Sequence, residues 1–347
     1  MFGYVVRRVI GVFFMIIALS FVTFWLFTQA PADPARLTCG KSCTPTIVEA
    51  NRVRLGLNEP FLVQYTRYMV GIPCGNSYPP AGGAFTCLRL HPELQGVSGA
   101  IYCPPEPVAL GYSVRKSECV TPLLLDAFPV TASLAIGGVV LWMLLGVSVG
   151  IIAALRRGRW QDRTAMAGAL VGYSFPSFFI ALLLLYFVVL TWNILPLPQW
   201  VPFTEDPVGW FQNMILPWIA IAILNAAFYA RLTRNQMLET LGEDYIRTAR
   251  AKGLPERVVI YKHALRAGLT PIVTAVGIDF AFLLGGAIII EQVFTLPGLG
   301  KLTLDSTLSL DLSIIMATVL LAGFFVILAN LIVDLLYAVI DPRVTLV

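Results

Sequence analysis

Four groups of residues in this 347-residue chain are of types that do chemistry. The first is PGLGKLT at 297–303, where Gly300-Lys301 precedes Thr303 in the manner of a loop that cradles phosphate. Such a loop needs G-x4-G-K-[ST]. Its first glycine would fall at 295, which is Thr, and Leu302 stands where Ser or Thr belongs. The chain is therefore not expected to hold or hydrolyse nucleotide. The second group is His91 and His263. Neither forms a metal-ligand cluster or a nucleophile–base arrangement, and each reads as an ordinary polar side chain. The third is six cysteines, Cys39, Cys43, Cys74, Cys87, Cys103 and Cys119. No Cys-x2-Cys pair is present, so disulfides are preferred over a zinc or Fe–S site. Six cysteines allow 15 pairings. Near-neighbour pairing (39–43, 74–87, 103–119) is one of them, and the sequence leaves the choice open. The fourth is Asp279, a lone carboxylate in an apolar run.

These residues sit in a chain built for a bilayer. It is 57% hydrophobic and 13% charged, with mean hydropathy +0.78. Soluble domains sit nearer roughly 45–50% apolar and 25% charged. Residues 9–32, 127–155, 164–204, 207–230 and 312–333 carry no charge, and 267–290 carries only Asp279. A helical span needs about 20 apolar residues, and only helices or closed barrels satisfy the backbone in lipid. The runs are too long and too uniformly apolar for barrel strands. The expectation is an all-α membrane protein with six helices, near 9–29, 127–154, 165–192, 211–231, 270–290 and 314–339. The first run follows Arg7 and Arg8, and Ala30-Pro31-Ala32 imitates a cleavage site. It exceeds the about 7–15 residues of a signal core, so a retained helix is expected. Pro176 should kink the third helix. Gly285-Gly286 should allow close helix packing.

Charge placement orients the helices. One side collects Arg7, Arg8, Arg156, Arg157, Arg159, Arg163, eight basic residues between 231 and 266, and Arg343. The two short loops of the other side hold a single basic residue, Lys301. Positive residues stay inside, so both termini are expected in the cytoplasm. The segment 31–126 then lies outside, and its length exempts its own charges from the rule. All six cysteines fall in it, which suits an oxidising compartment. It is also rich in Pro and Gly, as in PCGNSYPPAGG, and should fold as a small, loop-rich unit stapled by disulfides. The expected organisation is 1–30 as N-terminus and first helix, 31–126 as the cysteine-bearing outer domain, and 127–343 as a five-helix core.

Charge also concentrates in one block. Residues 243–266 hold nine charged side chains, between two apolar runs. Leu254, Val258, Tyr261 and Leu265 recur at helical spacing and should share one face. Pro255 suits a first turn and Glu256 the positive helix end. Gly253 suits the left-handed position closing a preceding helix at about 244–252. The block reads as helix, Gly turn, helix, exposed to the cytosol. A solvated loop obeying the positive-inside rule is the plainer alternative. A structured element exceeds what that rule requires and points to a docking surface for another protein.

DYIRTARAKG followed by HALRAGLTP resembles the cytoplasmic EAA loop of ABC-importer permease subunits, and more narrowly the dipeptide and oligopeptide "B" branch. The family pattern is E-A-A-x3-G, then I-x-L-P. This chain keeps Ala249 and Gly253, has Arg247 and Thr248 at the first two places, and has His263-Ala264-Leu265-Arg266 at the last four. Further similarities are Tyr4, Arg7 and Arg8 at the start, APADPA (30–35), LGLNEPFLVQY (55–65), EQVFTLPGLG (291–300) and Asp341-Pro342-Arg343. The resemblance covers about 1–70 and 108–343. The insert at about 71–107 departs from the family and inherits nothing from it.

The resemblance implies a permease subunit of the bacterial cytoplasmic membrane that forms half of a path for di- or oligopeptides. It is not an enzyme. Its loop, about 232–269, would couple to two ATP-binding subunits, or a fused pair, through Asp244, Tyr245, Arg247, Arg250, Lys252, Gly253, Leu254 and His263. Arg247, Arg250 and Lys252 would pair with acids on that partner, and Gly253 would permit close backbone approach. ATP and Mg would be bound by those partners, and no cofactor is expected here. A second, homologous permease and an extracytoplasmic binding protein complete the set, with 31–126 either docking the latter or merely covering the outer mouth. No nucleic-acid partner is expected. Asp279 costs at least about 2.5–3.5 kcal/mol in lipid, so it should face the bundle interior. There it lines the path or holds another helix through Asn225 or Asn330. An ion-driven secondary transporter is the alternative class, but it predicts internal repeats that the sequence does not offer. A non-transporting receptor fits less. Within the importer class, nickel chelate or glutathione remains open as cargo.

Overall fold

The computed structural model describes residues 2–29, 33–37, 43–78, 80, 87, 101–104 and 108–340. The described chain is mostly helical, as its uncharged runs demand. Five helices are long and apolar enough to cross a membrane, and a bent pair makes a sixth candidate. In chain order the long elements begin with α1 (Phe2–Gln29). Three shorter helices follow: α2 (Pro34–Leu37), α3 (Pro45–Arg54) and α4 (Phe61–Cys74). Two short antiparallel ribbons come next, β1 (Asn76–Tyr78) with β2 (Ile101–Cys103), then β3 (Tyr112–Ser113) with β4 (Glu118–Cys119). The segment expected to be loop-rich thus has helices and small ribbons of its own, and the chain is not purely α.

Sulfurs stand at bonding distance across this segment. Cys74 and Cys87 are 2.16 Å apart, and Cys103 and Cys119 are 2.08 Å apart. Both are near-neighbour pairs. Cys43 is also disulfide-bonded. Cys39 and His91 lie outside the described residues.

The helix α5 (Val120–Leu155) starts directly after Cys119, seven residues before the expected 127. It pairs closely with α8 (Pro207–Gly242). The contact depends on small residues: a Cβ on Gly146 would lie 2.9 Å from the Ala226 carbonyl, and one on Gly150 2.6 Å from that of Ala230. Missing side chains let the two backbones meet, the usual device where lipid offers no hydrophobic drive between helices. Around them Trp142, Met214, Leu216 and Tyr229 are fully buried.

Between these two helices lie α6 (Trp160–Ser174) and α7 (Ser177–Leu184), the latter running on as a π-helical stretch, Leu185–Thr191. A single kinked helix at 165–192 is not what forms. The two halves meet at 97°. Pro176 lacks an N–H and pushes Phe175 to φ −89°, ψ 138°, extended backbone that ends α6 outright.

The fourth helix exceeds its expected end at 231 by three turns. At 1.5 Å per residue the 36 residues of α8 span about 54 Å, well beyond an about 30 Å hydrocarbon core. The fifth helix starts earlier and stops earlier than 270–290. It runs continuously as Glu256–Leu284 and comprises α10 (Glu256–Val258), a π-helical turn (Val259–Ala264) and α11 (Leu265–Leu284). It ends because Gly286 has φ +125°, and a Cβ there would lie 2.6 Å from Gly300 Cα. Gly285 does pack closely, with its absent Cβ 2.9 Å from that of Ala322. Two short helices follow, α12 (Ile288–Val293) and α13 (Leu299–Ser309), and then the last span, α14 (Leu312–Ile340). Asp341-Pro342-Arg343 lies outside the described residues. Near that end Arg8 of α1 pairs with Asp334 of α14 at 2.7 Å.

Candidate functional site

The charged block folds at the end of the bundle where α5 and α8 finish. After Gly242 a short helix, α9 (Asp244–Ala251), turns back across that end. Its apolar residues Ile246 and Ala249 are buried. They join Met237 of α8, Ile151 and Ala154 of α5, and Val259, Ile260 and Ala264 of the fifth helix in a second hydrophobic cluster. The two turns of α9 are thereby fixed to three long helices. The rest of α9 is open: Asp244, Tyr245, Arg247 and Arg250 are exposed, as are Lys252, Gly253 and Leu254 of the turn that follows it. All seven are among the residues expected to couple, and all seven lie open to solvent in and just after α9.

Gly253 sits at φ +74° and donates its N–H to the Arg250 carbonyl at 2.9 Å. No other atom lies within 4 Å of where its Cβ would be. The glycine is needed here for the sign of its φ, and within this chain no close neighbour requires it. Pro255 caps the next helix from outside, at φ −61° and ψ 140°, instead of entering its first turn. Glu256 occupies that turn and binds Arg250 at 2.8 Å across the turn. Arg250, expected to reach a partner's acid, is thus engaged by its own chain, and Arg247 contacts Asp244 at 3.4 Å. The carboxylate of Glu256 raises the pKa of the Arg250 guanidinium, and partial burial followed by Glu243 raises that of the Tyr245 phenol.

The expected inward face of Leu254, Val258, Tyr261 and Leu265 does not form. Val259, Ile260 and Ala264 point inward, whereas Leu254 and Tyr261 are exposed. The π-helical turn at Val259–Ala264 adds a residue to the repeat and rotates the register. His263 lies in that turn, half-buried. The same end of the molecule is tied by a bidentate pair: Arg234 of α8 grips Asp162 of α6 at 2.5 and 2.8 Å, and Gly158 N–H also donates to Asp162. Neither partner had been anticipated from the sequence.

Among the residues proposed for a path, Asp279 accepts a 2.6 Å hydrogen bond from Tyr229 of α8. The partners considered from sequence were Asn225 and Asn330. Asn225 donates back to Ile221 of its own helix at 3.0 Å, and Asn330 is exposed on α14. A phenol was the missed candidate, because a tyrosine in an apolar run reads as core.

A second missed group is Glu291, fully buried at the opposite end. It accepts from Thr131 of α5 at 2.8 Å, from Ala287 N–H at 3.1 Å and from Lys301 N–H at 2.8 Å. Thr131 in turn accepts from Leu299 N–H at 2.8 Å. A Cβ on Gly298 would lie 2.4 Å from the Glu291 carboxyl carbon. EQVFTLPGLG therefore reads as a loop wrapped around its own first residue. Beside it a groove of about 760 Å³ is lined by charges of both signs, Lys116, Asp126, Lys301 and Asp305.

Membrane-length helices, with a charged surface at one end and at the other a mostly apolar groove edged by charges of both signs, mark a membrane-embedded component. The sequence places it further: residues 146–346 match the family of binding-protein-dependent transport system inner membrane components, and residues 1–91 match the family's N-terminal region. The chain belongs to that family. It is accordingly a multi-pass protein of the cytoplasmic membrane and a transport subunit, not an enzyme. A Brucella abortus (strain 2308) protein named as a peptide transport system permease is 35% identical over 98% of both chains. The glutathione transport system permease protein GsiC of Escherichia coli O6:H1 is 35% identical over 99% of both. The solved MetNI methionine ABC transporter has 17% identity and a TM-score of 0.49, covering 64% of this chain and 97% of its own.

Proposed function

We propose that the chain is one of two permease halves in an ATP-driven ABC importer of short peptides. In this reading α9 and the Gly253 turn form its EAA-type coupling element. The observation that carries the proposal is the anchoring of α9: its inner face is fixed to α5, α8 and the fifth helix, and its outer face is open. Force applied to such an element reaches three spans together, where a loose loop would absorb it. The anchoring also explains the departures from E-A-A. Ala249, the retained alanine, is buried in the cluster, and Arg247 and Thr248 are exposed, so their size is unconstrained.

The partners follow. Separate ATP-binding subunits, two chains or a fused pair, hold ATP and Mg, and supply hydrolysis of the terminal phosphate. Arg247 and Lys252 offer them charge, and Tyr245, Leu254 and Tyr261 offer apolar contact. As the ATPase pair closes, α9 carries the ends of α5 and α8 with it. The Tyr229–Asp279 bond passes the motion to α11. Both termini lie in the cytoplasm, and 31–126 is an oxidised outer domain in the path of the binding protein. Sulfurs at bonding distance support that side for the segment. Relatives named for peptide and for glutathione, itself a tripeptide, support the cargo class. The outer groove's charges of both signs suit a zwitterion's two ends.

The test is purification of the tagged chain from its native membrane in mild detergent. ATP-binding subunits, a related permease and a binding protein loaded with peptide should come with it. A chain that purifies alone and transports in liposomes without ATP would overturn the proposal and leave an ion-driven carrier.

A further inference from the structure

A cavity of about 170 Å³ lies where the ends of α1 and α14 meet α4. Its walls are mostly apolar, with Phe24 and Phe27 from α1 and Leu312 and Met316 from α14. Two polar side chains of α4 line it without partners. Tyr68 is 7% exposed, and its hydroxyl is buried with no hydrogen bond. The Arg67 Nε is likewise buried and unbonded. Tyr65, one turn earlier, makes the contrast: its hydroxyl shares a 2.9 Å hydrogen bond with Ser20 of α1. A buried donor left unmade costs about 1–3 kcal/mol, so two beside one cavity call for an occupant. No carboxylate is among the described residues lining it. Burial raises the Tyr68 pKa, which keeps the phenol a donor.

We propose that this cavity is an oxyanion site, in which the Arg67 guanidinium and the Tyr68 hydroxyl donate to a phosphate or carboxylate group. The planar guanidinium suits either oxyanion. At about 30 Å³ per water the space holds a headgroup or a short chain, not a folded partner. In the orientation proposed above, the cavity lies where two spans reach the outer membrane border, so the oxyanion comes either from a phospholipid headgroup or from a soluble carboxylate or phosphate.

The experiment is native mass spectrometry of the full-length chain in mild detergent, titrated separately with phosphatidylglycerol, hexanoate and inorganic phosphate. The expected result is retention of one probe by the wild type and about tenfold weaker retention by both Arg67→Gln and Tyr68→Phe, the loss of one charge-assisted or buried hydrogen bond. Phosphatidylglycerol as the retained probe assigns a lipid source; hexanoate or phosphate assigns a soluble one. Tyr65→Phe, whose hydroxyl is satisfied by Ser20, should retain the probe normally. Loss of retention in that variant too would trace the effect to a loosened α4 and overturn the proposal. So would a wild type that retains none of the three, or variants that match it.

Discussion

Tyr229 donates to Asp279 across 2.6 Å and so joins α8 to α11, while its ring stacks on Trp142 of α5 at 6.0 Å between centroids. Three spans meet at one phenol. Asp279→Asn keeps an acceptor for that phenol, so abundance and melting temperature should stay near wild type. Uptake should fall about tenfold, the equivalent of one weakened charged hydrogen bond. Tyr229→Phe removes the donor and leaves a carboxylate unsatisfied, so stability should drop by about 1–3 kcal/mol as well. Uptake by reconstituted complexes, set beside thermal melts of the same preparations, separates the two. If Asp279→Asn lowers abundance alone, the pair is only a structural tie.

Gly253 offers a graded test of coupling. Its φ of +74° costs an L-residue about 1–2 kcal/mol, so Gly253→Ala should strain the turn without breaking it. Gly253→Pro cannot reach that φ and also deletes the N–H bonded to Arg250. The proline variant should insert and melt like wild type in its spans, yet fail to transport. Stimulation of ATP hydrolysis by loaded binding protein should disappear with it. Normal uptake by the proline variant would sink the assignment of α9 as the coupling element.

The spans were legible in the sequence because lipid leaves a backbone few choices, and about 20 uncharged residues declare a helix. Their ends were less legible. The last three turns of α8 leave the apolar run and are held by Arg234–Asp162 and by the cluster around Met237, both tertiary. Gly253 could be read because a left-handed turn between helices selects glycine. The inward face of the next helix could not, since a π turn changes the period on which the reading rests. Glu291 was hidden for another reason. Its Thr131 partner lies 160 residues away, and no local pattern announces a contact of that range.

Glu291 should be among the chain's least replaceable side chains. Glu291→Ala strands the N–H groups of Ala287 and Lys301 and the hydroxyl of Thr131, at about 1–3 kcal/mol each. Glu291→Gln keeps one carbonyl acceptor and should fall between alanine and wild type. Gly300→Ala should be as damaging as Glu291→Ala, since its Cβ would lie 2.6 Å from Ile288 N. Gly268→Ala is the control: its Cβ meets nothing nearer than 3.5 Å, within a helix that favours alanine. Melting temperatures in detergent give the order. A Gly300→Ala variant as stable as Gly268→Ala would contradict the packing described around Glu291.

The pair Cys103–Cys119 ties β2 to the end of β4, just before α5, closing a separation of 16 residues. A loop near that length is worth about 3 kcal/mol to the folded state. Mild reduction should therefore loosen the β2 and β4 ribbons that this pair joins and expose them to protease, while the cluster around Ile246, at the far end of α5, stays protected. The useful measurement is binding-protein affinity before and after reduction. If the outer segment contributes contacts, affinity falls with the staples, because a surface must be ordered before it can dock. If affinity is unchanged while protease sensitivity rises, the segment serves as a cover over the outer mouth, and the binding protein must dock elsewhere, with the groove beside Lys301 and Asp305 the surface to mutate next.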